Sequence, residues 1–393
     1  MNILVINSGS SSIKFQLLNM PKGEVIAKGL IERIGFEDAI INYTTSKNKI
    51  KTVVSIQNHE IGLQQIANLL LDKNNGVIAS ADEIVAVGHR VVHGGSLFTK
   101  TTIINQKVKE AIKDLSFLAP LHNPANLLGI QVAEKIFSHA TQVAVFDTAF
   151  HQTIPEVAHR YAIPNEFYEK EHVRLYGFHG TSHQYVAKKA NQFLNKKIEK
   201  VISIHLGNGC SMTAILNGKS IDHSLGFGPM NGLIMGTRSG DIDQSVVLFL
   251  AQKLHYAIDD ISNLLQKKSG MLGLTGMSDM RDIETAAQKG NKTAQMALAM
   301  NAYRIKKYIG SYTAIMNGVD TIIFTAGIGE NSEFIRKLVC EDLSYLGIEL
   351  NQEKNSIRSN EIRNIKSNLS KVDVLVIPTN EELEIATQVF AII

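Results

Sequence analysis

The feature of this sequence that most constrains its fold is an internal echo. The run Ile6-Asn7-Ser8-Gly9-Ser10-Ser11-Ser12 leads into Ile13-Lys14-Phe15-Gln16-Leu17-Leu18-Asn19. At an offset of 198 residues (Ile6 to Ile204), Ile204-His205-Leu206-Gly207-Asn208-Gly209-Cys210 leads into Ser211-Met212-Thr213-Ala214-Ile215-Leu216-Asn217. Each copy has an apolar run, a small polar turn and a second apolar run, which is the grammar of a strand–turn–strand hairpin. The identities are few (Ile6/Ile204, Gly9/Gly207, Leu18/Leu216 and Asn19/Asn217). The shared grammar and an offset near half of the 393 residues nevertheless point to duplication, with one such hairpin in each of two domains.

Around the hairpins, short β-branched runs alternate with helix-periodic stretches, the pattern of an α/β protein. Strands are expected over 3–6, 13–18, 84–87, 143–146, 201–204, 212–216, 321–324 and 372–377. Helices are expected over 62–71, 126–137, 181–193, 243–254 and 292–316, with Asn123-Pro124 as a helix entrance. No Pro- or Ser-rich linker separates two halves. A 44% hydrophobic content supplies a core without staples. The two cysteines, Cys210 and Cys340, allow neither a disulfide framework nor a Cys-rich zinc site, so a reducing compartment is expected. Residues 1–6 meet Asn7 without the charged start and long apolar stretch of a secretory signal, and no apolar run approaches the ~20 residues that cross a bilayer. A cytoplasmic protein with no membrane partner is expected. Forty Lys+Arg against 37 Asp+Glu leave a net charge of +3, which implies no polyanion surface and no nucleic-acid partner.

Small residues in the two turns let backbone approach an anion, and successive N–H groups form a nest for phosphate oxygens. Ser10 and Ser12 add hydroxyl donors and Lys14 adds a point charge. One such turn alone reads as an ordinary Gly/Ser hairpin; two echoed copies favour two phosphate clips. Other nucleotide signatures are absent. Gly218-Lys219-Ser220 ends like a P-loop, but the earlier glycine position holds Thr213. His89-Arg90 continues into Val91-Val92 and makes no kinase catalytic loop. A third segment, Phe324-Thr325-Ala326-Gly327-Ile328-Gly329-Glu330-Asn331, suits backbone lying against a nucleoside, and reads equally as a strand-to-helix turn with Asn331-Ser332 as a cap.

The hairpin Val5-Ile6-Asn7-Ser8-Gly9-Ser10-Ser11-Ser12-Ile13-Lys14 and the stretch Tyr176-Gly177-Phe178-His179-Gly180-Thr181-Ser182-His183 resemble the two signatures of the acetate kinase family. The similarity continues through His89-Arg90-Val91-Val92-His93-Gly94-Gly95, Pro120-Leu121-His122-Asn123-Pro124, Phe146-Asp147-Thr148-Ala149-Phe150, the loop from Gly226 to Asp243, the Gly327 segment and Pro378-Thr379-Asn380-Glu381-Glu382-Leu383. These matches span essentially the whole chain, in order. The resemblance implies the acetate and sugar kinase, heat-shock ATPase and actin superfamily. That means an α/β fold of two similar actin-like/ribonuclease H-like domains, mixed sheets flanked by helices, with the active site in the interdomain cleft. The expected division is 1–148, with 382–393 returning to it, and 149–381 as the nucleotide-binding domain.

Phosphoryl transfer to a carboxylate needs little covalent help, because the nucleophile is already an anion. The task is to hold two anions in line and stabilise charge on the transferring group. Arginines suit it, since a guanidinium fork matches carboxylate and phosphoryl oxygens. Arg90 follows a strand end, and Arg238 lies between glycines in Gly236-Thr237-Arg238-Ser239-Gly240-Asp241. A structural ion pair is the bland alternative for either. The resemblance implies that Arg90 binds the substrate carboxylate and that Arg238 stabilises the transition state. His179 and His183 have the i, i+4 spacing of a metal pair, but no third ligand accompanies them and Gly180 breaks the helix start. The resemblance makes His179 a hydrogen-bond donor to the phosphoryl and leaves His183 structural, with His122 and His205 as second-rank candidates. Asp147 ends an apolar strand, a costly place for a carboxylate without a partner. In the family the matching residue is catalytic, and organisation or electrostatics is favoured over base catalysis.

The resemblance also implies Mg²⁺ (or Mn²⁺) near Asn7 and Glu381, where spacing alone would not separate Glu381 from Glu382. ATP/ADP contacts carry over to Lys14, to His205, Leu206, Gly207, Asn208 and Gly209, to Asp279, Met280 and Arg281, and to Gly327, Ile328, Gly329, Glu330 and Asn331. Val92, Leu121, Phe178 and Pro229 would line the acyl methyl pocket, with core packing as the alternative reading. Val92 rather than a smaller residue favours acetate over propionate. The expected activity is therefore Mg-dependent, reversible phosphoryl transfer between ATP and acetate by a homodimer, as the family usually is. The rivals are a propionate or broad short-chain carboxylate kinase and a non-catalytic nucleotide switch. A sugar kinase fits less well, because an alcohol nucleophile needs a general base.

Overall fold

The computed structural model describes residues 1–393, which divide into two compact units: Met1–Gln152 with Asn380–Ile393, and Thr153–Thr379. Glu381 and Glu382 therefore belong with the N-terminal unit.

In the first unit, β1 (Asn2–Ser8) and β2 (Ser12–Asn19) form the antiparallel hairpin expected of the first echo. Three further antiparallel strands, β3 (Glu24–Glu32), β4 (Phe36–Thr45) and β5 (Lys49–Ile56), extend the sheet on one side. On the other side come β6 (Ile84–Val91), β7 (Thr102–Ile103) and β8 (Thr141–Phe146), in the order β1-β6-β8-β7. The middle of β1, Ile3 to Ile6, is apolar at every position because both faces of this sheet are covered there. Leu4, Ile6, Phe15 and Leu17 pack with Leu63 and Ile66 of the helix His59–Leu71 and with Val132 of the helix Asn123–Ile136. Ile3, Val5, Leu18, Ala86 and Val145 pack on the other face with Ile385 and Val389 of the helix Glu381–Phe390. That helix lies close on β6: a Cβ at Gly88 would stand 2.9 Å from the side chains of Ile385 and Val389.

In the second unit, β9 (Lys200–Leu206), β10 (Cys210–Leu216), β11 (Lys219–His223), β12 (Thr321–Thr325), β13 (Arg363–Asn364) and β14 (Asp373–Val376) form one sheet. Its order is β11-β10-β9-β12-β14-β13. This reproduces β3-β2-β1-β6-β8-β7 strand for strand, with the same succession of antiparallel, antiparallel, parallel, parallel and antiparallel neighbours. The duplication read from the two hairpins thus extends to all six strands of the second sheet, while β4 and β5 of the first have no counterpart.

One detail of the echo is corrected. In the first hairpin Ser8 faces Ile13, whereas in the second Leu206 faces Cys210, so the second turn is one residue shorter. Leu18, opposite Ile3, is matched by Ile215, opposite Val201. The identities Leu18/Leu216 and Asn19/Asn217 consequently occupy non-equivalent places. A one-residue slip in a strand exchanges its two faces, and the apolar character of both faces hid it from the sequence.

Candidate active site

Strand alternation gathers the first group of predicted residues. Asn7 and Lys14 are directly opposed across β1 and β2, on the face that carries Ile3, Val5 and Leu18. Arg90 follows two residues after Gly88 on the same face of β6, and Asp147 follows β8. The helix Glu381–Phe390, which covers this face, brings Glu381 and Glu382 in its first turn. The Arg90 guanidinium grips Asp147 with both fork atoms, Nε to Oδ1 at 2.9 Å and Nη2 to Oδ2 at 2.7 Å, and its Nε lies 3.8 Å from Glu381 Oε2. Burial opposes the charge on Arg90, yet the carboxylates of Asp147 and Glu381 hold its pKa above the ordinary value. Lys14 Nζ pairs with Glu382 Oε1 at 2.6 Å. Glu381 is left with the weaker share: burial raises its pKa, and Arg90 only partly counters this against the repulsion of Asp147 and Glu382.

Two asparagines lock the surrounding loops. Asn126 accepts from Val92 N at 3.0 Å and donates to the Ser8 carbonyl at 2.7 Å, tying the β6 exit to the first hairpin turn. Asn123 accepts from His93 N and donates to the His93 carbonyl, both at 3.0 Å. Val92 is partly buried and Leu121 is 52% exposed.

The second group lies in the second unit. His179 caps the helix Gly180–Leu194 in a left-handed backbone conformation (φ 55°), rare for a residue other than glycine and a mark of a constrained site. Its Nδ1 lies 2.8 Å from Ser211 Oγ, and its ring stacks on His205 with centroids 4.4 Å apart. His205 Nδ1 meets Ser182 Oγ at 2.9 Å. The buried Phe178 donates its N–H to His223 Nε2 at 3.1 Å. Arg238 is held through Nη1 by the Pro229 carbonyl at 3.1 Å and has no carboxylate partner; burial lowers its pKa. Its loop is clamped from behind, since a Cβ at Gly270 (φ +61°) would strike the Met235 and Arg238 carbonyls. A Cβ at Gly209 would stand 3.5 Å from His179 Nε2 and 3.9 Å from Arg238 Nη1, so both groups border one small space.

Three of the predicted nucleotide segments line one cavity of about 910 Å³ in this unit. Leu206, Gly207 and Asn208 come from the second hairpin, Asp279, Met280 and Arg281 from a helix start, and Gly327, Ile328 and Asn331 from the short helix Ala326–Asn331, which begins directly after β12 where a turn is expected. Asp279 caps the helix Met280–Gln288 by accepting from Arg281 N, and its carboxylate also forks with the Arg281 guanidinium. His205, Gly209, Gly329 and Glu330 do not line this cavity; the Glu330 carboxylate instead accepts from Thr379 N at 3.0 Å. Lys14 belongs to the first unit.

A family model described as the acetokinase family matches residues 2–387. The chain belongs to the acetokinase family. It is 60% identical to the acetate kinase of Flavobacterium johnsoniae over the full length of both chains. Among solved structures, it superposes on Porphyromonas gingivalis acetate kinase with a TM-score of 0.94 at 44% identity, covering 100% of this chain and 99% of that one. A propionate kinase from Francisella tularensis superposes with a TM-score of 0.93 at 42% identity, covering 98% of each chain.

Sequence reasoning passed over Asn126, Ser203 and Ser211, and the cavity-lining Glu284, Gln288 and Arg358. A weak signal existed for the serines: in Ser203-Ile204-His205 and Ser211-Met212-Thr213, polar residues alternate with apolar ones in strands otherwise fully buried.

Proposed function

We propose that this chain catalyses reversible, direct in-line transfer of the γ-phosphoryl group of ATP to acetate, giving acetyl phosphate and ADP. The observation that carries the reading is Arg238: a largely buried guanidinium, unpaired with any carboxylate, whose Nη1 borders the same small space as His179 Nε2. A buried, uncompensated cation is costly unless an anion completes it. A phosphoryl group in transfer spreads charge over three equatorial oxygens and needs such preorganised donors.

The other roles follow from chemistry. The cavity of the second unit takes the nucleotide: Met280 and Ile328 offer apolar surface to a base, while the Gly207 and Gly327 segments offer backbone close to the nucleotide. Arg90 takes the acetate carboxylate. Asp147 holds its Nε–Nη2 edge, which orients the fork and leaves Nη1 for the substrate. Asp147 thus acts by positioning; no base is required, because acetate is ionised at neutral pH. Val92, Leu121, Phe178 and Pro229 are assigned to the acetate methyl group. Lys14, held by Glu382, supplies positive charge near the first phosphate-clip turn.

Mg²⁺ (or Mn²⁺) fits the donor set. No group of three His, Cys, Asp or Glu residues is arranged as an all-protein cage. This suits an ion that keeps its waters and rides on nucleotide phosphates. Asn7 and Glu381 would help hold it, since Glu381 is a buried carboxylate that Arg90 compensates only partly. When bound, the ion neutralises charge on the phosphates.

The propionate kinase neighbour keeps a second acyl substrate in view. Comparing kcat/KM for acetate, propionate and butyrate tests the choice, with acetate expected to lead. A homodimer is also proposed. The helix Gln244–Gln252 is rich in apolar residues yet buries none of them, with Leu248 56% and Phe249 53% exposed, and Ile258 beyond it is 70% exposed. Contiguous apolar surface of this kind marks an interaction face. Sedimentation of the wild type and of Phe249→Glu tests it, with dimer and monomer as the expected species. A cytoplasmic setting accords with the two buried free thiols, Cys210 and Cys340. No helix is long and apolar enough to cross a membrane.

A further inference from the structure

The helix Gly180–Leu194 meets the sheet of the second unit through a polar seam. Register pairs Ser211 with His205 and Thr213 with Ser203, so these four residues share one face of β9 and β10. All four are buried, as are Ser182 and His183 on the covering helix. Apolar side chains would fill such a seam at lower cost, because every buried polar group must find a partner. Here the groups connect in a line. Ser203 Oγ lies 2.8 Å from His183 Nδ1, His183 Nε2 lies 2.8 Å from Ser211 Oγ, and Ser211 Oγ lies 2.8 Å from His179 Nδ1.

The proton inventory of this line is restrictive. Ser211 has one hydroxyl hydrogen and meets two imidazole nitrogens, so it donates to at most one of them and accepts from a ring N–H at the other. If Ser211 donates to His179, then His179 Nδ1 is the acceptor and its neutral ring carries hydrogen on Nε2. Ser211 then accepts from His183 Nε2–H, and His183 Nδ1 accepts from Ser203. The opposite polarity leaves the neutral ring of His179 with a bare Nε2, whose lone pair would face the space it shares with Arg238 Nη1. For a neutral ring, only the first polarity offers an N–H to an anion there. Which ring nitrogen holds the proton is thus set by what the other nitrogen meets.

We infer that Ser203, His183 and Ser211 form a relay that fixes His179 as the Nε2–H tautomer and thereby makes it a phosphoryl donor. The inference rests on the phosphoryl-transfer reading above. Ser211, His183 and Ser203 are positioning residues, since they act through His179.

The test uses the full-length chain labelled with ¹⁵N-histidine. Long-range ¹H–¹⁵N spectra at neutral pH, assigned by loss of the signals in His179→Gln, should show an unprotonated Nδ1 and a protonated Nε2 for His179. Ser211→Ala should erase this single-tautomer pattern and lower kcat by about 10–100-fold, the range for residues that orient a functional ligand. KM for ATP and acetate should change little. Ser211→Thr keeps the hydroxyl and should restore both the spectrum and most of kcat. His183→Gln, whose amide N–H can replace His183 Nε2–H, should outperform His183→Leu. A wild-type His179 with Nδ1 protonated and Nε2 bare overturns the relay, as does Ser211→Ala with the wild-type spectrum. A wild type that forms no acyl phosphate overturns the reading of function instead, and the spectrum tells the two failures apart.

Discussion

Gly209→Ala isolates the space that His179 and Arg238 share. Gly209 is not among the residues with positive φ, and the new Cβ would stand 3.5 Å from His179 Cε1 and Nε2 and 3.9 Å from Arg238 Nη1. These are ordinary van der Waals separations, so the methyl group fits the free protein without moving a neighbour. Stability should hold or rise by about 0.4–1 kcal/mol, because alanine restricts the unfolded chain. Catalysis should suffer. An oxygen accepting from these donors needs separations of about 2.7–3.1 Å, which the methyl carbon obstructs. A displacement of about 1 Å at a reacting centre costs on the order of 100-fold, or ~2.7 kcal/mol in barrier. The assay is hydroxamate trapping of acetyl phosphate for kcat and KM, with thermal unfolding in parallel. A variant with unchanged Tm and wild-type kcat would refute the claim that the transferring group occupies this space. A large drop in Tm would show that Gly209 is needed for packing.

Three further outcomes are expected. Arg238→Ala should lower kcat by about 10³-fold, as for other arginines that stabilise transferring phosphoryl groups. ATP affinity by calorimetry should stay near wild type, because Arg238 does not line the nucleotide cavity. Val92→Ala should shift the propionate-to-acetate ratio of kcat/KM toward propionate by up to about tenfold, within the ~1–3 kcal/mol that one methylene carries; an unchanged ratio would leave Val92 as packing. Asp222 provides a pH test away from the chemistry: burial raises its carboxyl pKa from 3.8 to about 6, against a backbone hydrogen bond from His223. A folded pKa above the unfolded one means that the ionised form opposes folding above about pH 6, and the penalty fades as pH falls toward 3.8. Asp222→Asn, which retains an acceptor for His223 N, should therefore stabilise the fold near pH 8 by at most about 3 kcal/mol and lose that advantage near pH 4. Denaturant titrations at the two pH values measure it.

The sequence exposes what local patterning encodes. The two hairpins, the six central strands at 3–6, 84–87, 143–146, 201–204, 212–216 and 321–324, and the position of Asp147 just after its strand follow from runs of apolar residues and where they stop. Arg90, expected after a strand end, instead lies within β6, which runs on to Val91 past the apolar stretch 84–87. The strands β3, β4 and β5 lack that clarity because one face is wet and carries Lys28, Glu32, Lys49 and Lys51 among their apolar residues. Contacts between distant segments are another matter. Arg90 and Asp147 are 57 residues apart, and Asn126 reaches Ser8 across 118. Neither pairing has a local signature. The register slip in the second hairpin was equally hidden, because a strand buried on both faces tolerates either phase. The family signatures nominate the candidate site residues, and the distances between them are visible only in the structure.

Transfer of a phosphoryl group between ATP and a carboxylate is open to direct measurement. The most direct measurement incubates the purified protein with ATP, Mg²⁺ and acetate in the presence of hydroxylamine and follows acetohydroxamate. ATP- and acetate-dependent hydroxamate formation is expected, and Arg90→Ala should abolish it. ATP binding without any acyl phosphate, at any of the three short-chain acids, would contradict it and mark the chain as a nucleotide-dependent switch.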